Sequence, residues 1–177
     1  MITTTAAIRP ARNHDAPAIA SLLRDAFPTP DEARLVELLT VRCRGWQLVA
    51  EIAENIVGHI AFSPISVEPS QNSTAIAPLG LGPLAVTPSW QRHGIGSALV
   101  RAGIDHCQRL GQSLVVVLGD PAFYVRFGFL PGSRYDLECE FGGGEAFQVL
   151  RLDDAPVPRG LVRYCAEFRE IFASDQR

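Results

Sequence analysis

A chain of 177 residues with a formal net charge of −3 is long enough to bury a core as one domain over residues 1–177. That charge, without a basic run, gives nucleic-acid binding little electrostatic support, and no stretch reaches the roughly 18 apolar residues of a membrane span. Met1-Ile2-Thr3-Thr4-Thr5 lacks the cationic and apolar regions of a signal peptide, so a cytoplasmic protein without membrane or nucleic-acid partners is expected.

Thr3 to Ile8 is predicted as the first strand, ended by Arg9-Pro10. Asp15 offers an N-cap for a helix in which Ile19, Leu22, Leu23, Ala26 and Phe27 recur at helical spacing, and Pro28 and Pro30 stop it. A second helix begins near Asp31 with Leu35, Leu38 and Leu39 inward, and Asp31 and Glu32 suit the positive end of its dipole. Gln47 to Ala53 and Ile56 to Ser63 flank a turn at Glu54-Asn55 and read as an antiparallel hairpin. Pro69 to Pro78 is a polar loop, and Gly80 to Thr87 the next strand. The helix Ser97 to Leu110 carries Leu99, Gly103, Cys107 and Leu110 along one stripe, with Gly111 as its C-terminal cap. Ser113 to Leu118 is a continuous apolar run, as in a strand covered on both faces. Asp120 caps a short helix opened by Pro121. A glycine-rich turn, Phe141 to Glu145, precedes a last strand, Ala146 to Leu152, and the final eight residues read as a frayed end. The alternation of strands and helices predicts a mixed α/β fold without repeat or linker.

The most informative stretch is Leu84-Ala85-Val86, then Gln91-Arg92-His93-Gly94-Ile95-Gly96, then Ser97 opening a helix. Strand, glycine turn and helix in that order aim unpaired backbone N–H groups and the positive end of a helix dipole at an anion. Gly94 and Gly96 remove two β-carbons, and Arg92 adds a permanent positive charge. A P-loop is disfavoured because it needs a lysine and all 16 cationic side chains are arginine. A Rossmann fingerprint is disfavoured because Leu99 stands at its third small position, and a strand follows Gly80-Leu81-Gly82 where a helix is required. Cys43, Cys107, Cys139 and Cys165 contain no C-x-x-C pair and no ligand spacing with His14, His59, His93 or His106, so reduced thiols and no metal are expected.

The Q-R-H-G-I-G turn after L-A-V resembles the pyrophosphate-binding element of the GNAT superfamily of N-acetyltransferases. A second segment, Gly119-Asp120-Pro121-Ala122-Phe123-Tyr124-Val125-Arg126-Phe127-Gly128-Phe129, is similar to the family's F-Y-x-x-x-G-F element and marks a variant subgroup. The resemblance implies a single-domain mixed sheet, mostly antiparallel, of about seven strands splayed at its centre with helices on both faces. It implies acetyl transfer from acetyl-CoA, the cosubstrate, to a primary amine of a small molecule or protein, without a metal. Gln91, Arg92, His93, Gly94, Ile95, Gly96 and Ser97 would then hold the diphosphate, with Leu84, Ala85 and Val86 offering backbone to the pantetheine arm. Tyr124 would be the general acid, since a phenol with a pKa of about 10 is protonated at neutral pH.

The chain departs from the family where many relatives carry an asparagine before the tyrosine, a place held here by Val117. No carboxylate lies on Gly80 to Thr87, so Glu51, His59, Glu68 and Asp120 remain base candidates by proximity in the fold alone. The segments Phe27 to Arg34 and Tyr135 to Glu145 are expected to shape the acceptor pocket, and their carboxylates (Asp31, Glu32, Asp136, Glu138, Glu140 and Glu145) hint at a cationic amine. Homodimers are frequent in the family, which leaves that assembly open. A non-catalytic acyl-CoA-binding or sensing module is the alternative function, because it keeps the turn and needs no acid or base.

Overall fold

The computed structural model describes residues 6–68 and 78–172. In chain order its elements begin with β1 (Ala7–Pro10), α1 (Ala16–Ala26), α2 (Asp31–Arg42), β2 (Trp46–Ile52) and β3 (Asn55–Glu68). They continue with β4 (Leu79–Val86), α3 (Ile95–Arg109), β5 (Leu114–Leu118), α4 (Pro121–Tyr124) and β6 (Leu130–Pro131). The last are β7 (Leu137–Cys139), β8 (Phe147–Arg151), β9 (Gly160–Tyr164) and α5 (Ala166–Phe172). The nine strands form one mixed sheet in the order β1-β2-β3-β4-β5-β8-β6, with β9 paired to the far end of β3 and β7 to β9. Among the described residues the parallel pairs are β4–β5 and β7–β9, so the sheet is mostly antiparallel.

Alternation along the strands puts helices on both faces. In β2, Leu48, Ala50 and Ile52 pack with Leu99, Val100 and Cys107 of α3, whereas Val49 packs with Ile19 and Leu23 of α1 and Val36 of α2. The apolar run of β5 is covered on both sides, Val115 and Val117 lying in one cluster and Leu114 and Val116 in another. Among the described residues no helix is long and apolar enough to cross a membrane.

Several boundaries differ from those read in the sequence. β1 includes Arg9 and Pro10, because an edge strand tolerates a residue without an N–H; Thr3 to Thr5 lie outside the described residues. Asp15 precedes α1 but caps none of its amides, since its carboxylate accepts from the guanidinium of Arg9 (2.7 and 3.0 Å) and from the Arg12 N–H (2.7 Å). β3 continues past the expected end at Ser63 to Glu68, with Ile65 and Val67 buried and Ser66 and Glu68 exposed. The loop expected from Pro69 to Pro78 lies outside the described residues except for Pro78. α3 starts at Ile95, two residues early, because Gly94 occupies the N-cap, and Leu110 closes the helix half-exposed rather than inside the stripe. Among the described residues the sheet of about seven expected strands is joined by two short ones, β7 and β9, which gain their partners from distant segments. α5 reaches Phe172, so Glu170 to Phe172, the first residues of the end read as frayed, are helical, and residues 173–177 lie outside the described residues.

Candidate active site

The site begins where β4 leaves β5. Their paired residues are Leu79–Leu81 and Val115–Val117. Immediately beyond, Ile60 of β3 faces Leu84 while Phe62 faces Leu81, so Gly82 and Pro83 stand opposite Ala61 as a bulge. Gly82 takes φ +152, which a side chain would resist. Leu84, Ala85 and Val86 stay paired with Ile60, His59 and Gly58, but among the described residues no strand is paired to them on the β5 side. That edge offers backbone donors and acceptors to an extended, amide-bearing ligand.

The same strand leads into the turn. Pro88–Trp90 form a single 3-10 turn, Arg92 adopts φ +63, and Gly94 at φ +82 is the N-cap of α3. Among the described residues, the backbone N–H groups from Arg92 to Ser97 reach no backbone acceptor; the first amide to do so is Ala98, bonded to the Gly94 carbonyl at 2.9 Å. Consecutive unpaired amides at the N-terminus of a 15-residue helix form an anion cradle. A β-carbon on Gly96 would meet Phe123 and Val86 only at 3.7 Å, ordinary contact, so the protein itself does not require glycine there. Gln91, Arg92, His93 and Gly94 are exposed, Gly96 and Ser97 half-buried, and Ile95 is buried in the core. The His93 ring is held by the Gln91 carbonyl oxygen, with Nδ1 at 2.8 Å. Sequence reasoning missed Arg126, whose guanidinium lies over the Phe123 ring at 4.6 Å and reaches toward Ser97 Oγ at 3.5 Å, adding positive charge beside the cradle.

Tyr124 comes from the other rim. Asp120 caps α4 by accepting the Ala122 N–H at 2.9 Å, and Pro121 starts the helix. The Tyr124 ring is buried edge-on against Phe123 (4.9 Å between centroids) and Phe129 (5.5 Å). Burial pushes its phenol above the ordinary value, so it keeps its proton through the neutral range. Its side chain lines a cavity of about 480 Å³ together with Leu81, Gly82, Pro83 and Leu84 of β4. Val117, at the place of the family's asparagine, is an apolar part of that wall.

The other sequence candidates scatter. Glu51 pairs with Arg9 at 2.7 Å, Glu68 with Arg163 at 3.0 Å, and Asp120 is engaged as a cap. His59 is fully buried, its Nε2 2.8 Å from Gln47 Oε1, and desolvation pushes it down to about 3, which keeps it neutral. None of these four lines the cavity. Of the pocket carboxylates, Asp31 accepts from Thr29, Asp136 pairs with Arg159, and Glu140 accepts the Tyr164 N–H at 2.6 Å beside Arg163 and Arg169. Glu138 and Glu145 are exposed, and Glu32 alone of the six reaches the cavity wall. Trp46 stacks on Phe62 at 4.0 Å as a packing residue. Cys107 and Cys139 are buried, and all four cysteines are free. Sequence spacing concealed that Cys43 and Cys165 come together with Glu167, their ligand atoms within 4.8 Å of one another; among the described residues this is the one grouping suited to a metal ion.

Three comparisons bear on this geometry. A family model described as an acetyltransferase (GNAT) domain matches residues 7–132. The N-acetyltransferase YhbS of Escherichia coli (strain K12) is 38% identical over 164 residues, covering 89% of this chain and 95% of the relative. The crystal structure of Escherichia coli YhbS in complex with CoA superposes with a TM-score of 0.85, covering 94% of this chain and 93% of that one. A GNAT family acetyltransferase from Brucella melitensis in complex with acetyl-CoA, 31% identical, gives a TM-score of 0.76 over 93% of this chain and 99% of that one.

Proposed function

Because this chain belongs to the GNAT family of acetyltransferases, we propose that it moves the acetyl group of acetyl-CoA directly to a primary amine of a small molecule or protein, with Tyr124 as general acid. Two relatives of similar fold hold CoA or acetyl-CoA, and the cosubstrate fits the donors present here. The amides of Arg92 to Ser97, with Gln91 and Arg92 beside them, would take the diphosphate, and Gly96 leaves it room. The open edge of Leu84, Ala85 and Val86 would pair with the pantetheine amides and lead the thioester to the cavity. On the Gly119–Phe129 element we read the chain as one of a variant subgroup, and residues 1–177 as one catalytic domain.

The observation that carries the mechanism is the buried Tyr124 in the wall of the cavity bounded by Leu81–Leu84. The neutral amine nitrogen attacks the thioester carbonyl carbon, forming the C–N bond, and the C–S bond breaks. The thiolate sulfur takes the phenolic proton, and the phenolate recovers the proton that the amine nitrogen gives up. Raising the phenol's pKa keeps the acid loaded between turnovers.

Calorimetric titration with acetyl-CoA, followed by thiol release on adding amines, tests the proposal. Micromolar binding with amine-dependent thiol release is the expected result. Binding without release to any amine would leave a non-catalytic acyl-CoA module, and no binding at all would reduce the glycine turn to a connector.

A further inference from the structure

Resting on the transferase reading above, the geometry points to the acceptor: we propose that the cavity takes a primary ammonium group carried on an apolar body, with Glu32 as the residue that selects the charge. The volume of about 480 Å³ suits a small molecule. Its far wall is apolar and comes from separate parts of the chain, with Phe27 at the end of α1, Leu35 on α2, Phe141 after β7 and Phe168 on α5. No arginine or histidine lines it, and Glu32 is its one carboxylate among the described residues.

Two residues of that wall each carry a buried polar atom without a partner. Glu32 Oε2 and the Tyr164 hydroxyl are both shielded from solvent, and neither has a hydrogen-bond partner among the described residues. Tyr164 is only 5% exposed, and it shares the cavity with Tyr124. Native proteins seldom bury a donor or acceptor unsatisfied unless a ligand completes it. The N-terminal turn of α2 explains why a carboxylate is favoured at position 32, but not why one of its oxygens turns away from water. An ammonium group would donate to the Glu32 carboxylate and to the Tyr164 oxygen, and would give one proton to Glu32 before the neutral nitrogen attacks the thioester. The phenylalanine faces add cation–π attraction to the charge and apolar contact to the body behind it. They offer nothing to a second ammonium or to several hydroxyls, so polyamines and amino sugars would be desolvated without compensation.

The test uses 2-phenylethylamine as the probe, titrated calorimetrically into the full-length protein saturated with CoA. Neutral 2-phenylethanol, 1,4-diaminobutane and glucosamine serve as comparisons. The expected result is tightest binding of the phenylethylamine, weakened about tenfold or more by Glu32→Gln and partly restored by Glu32→Asp. Acetyl-CoA affinity and thermal midpoint should stay unchanged in both variants, which separates a binding role from a structural one. Equal binding of the alcohol, tighter binding of diaminobutane or glucosamine, or an unaltered Kd in Glu32→Gln would each overturn the inference. Thiol release from acetyl-CoA, followed in parallel, keeps the two readings apart. Glu32-dependent amine binding without release from any amine supports this pocket while overturning the transferase mechanism. Release with polar amines alone does the reverse.

Discussion

The side-chain amide of Gln91 donates to the carbonyl oxygen of Val86 across 3.1 Å, tying the end of β4 to the turn that opens α3. An extended arm lying along β4 and a diphosphate seated on the turn would therefore meet one connected surface. The geometry of each half depends on the other.

Substitution at Gly96 tests where the diphosphate lies. A methyl group there meets only ordinary contacts at 3.7 Å, so Gly96→Ala should fold with an unchanged thermal midpoint. Its acetyl-CoA affinity should nevertheless fall by about tenfold or more, because the methyl group fills the ligand's approach to the amides. An unchanged Kd would move the diphosphate elsewhere.

Tyr124→Phe keeps the ring and its packing while removing the proton donor. We expect kcat to fall by about 100-fold with little change in acetyl-CoA Kd. Because burial raises the phenol, the wild-type kcat should show no alkaline decline assignable to Tyr124 below its ordinary value of about 10. A decline near pH 8 that vanishes in the variant would contradict this assignment.

Acid should destabilise the fold in two windows. Desolvation holds His59 at about 3 in the folded protein, against 6.5 ordinarily, so the unfolded chain binds the extra proton and stability falls as pH drops from 6.5 toward 3. The hydrogen bonds from Arg9, then the Arg12 N–H, hold Asp15 at about 2 against 3.8. Its contribution is complete above 3.8 and is lost as pH falls through about 2. Unfolding free energies from urea titrations between pH 7 and 3 should decline with a slope of up to about 1.4 kcal/mol per pH unit in the first window. Asp15→Asn should cost about 2–3 kcal/mol at pH 7, since it leaves the Arg9 guanidinium half-paired. A flat stability profile from pH 7 to 4 would remove His59 from the account.

Local sequence determined the parts of the site whose signals lie within a few residues. The turn from Gln91 to Gly96 follows from two glycines at a strand-to-helix junction, and Asp120-Pro121 announces a short helix that carries Tyr124 into the core. The apolar run of β5 likewise shows that both its faces are covered. Tertiary structure decided what depends on distant partners. β9 is a brief strand beside a proline-rich stretch, and it pairs with the end of β3, where Arg163 meets Glu68 across 95 positions. Six carboxylates near the expected pocket are alike in composition, yet neighbouring arginines, a threonine hydroxyl or solvent engage five, and the packing of α2 against β4 and α5 leaves Glu32 facing the cavity. Periodicity and turn chemistry act over one or two turns of chain, whereas which charge is left unpaired depends on how distant segments pack together.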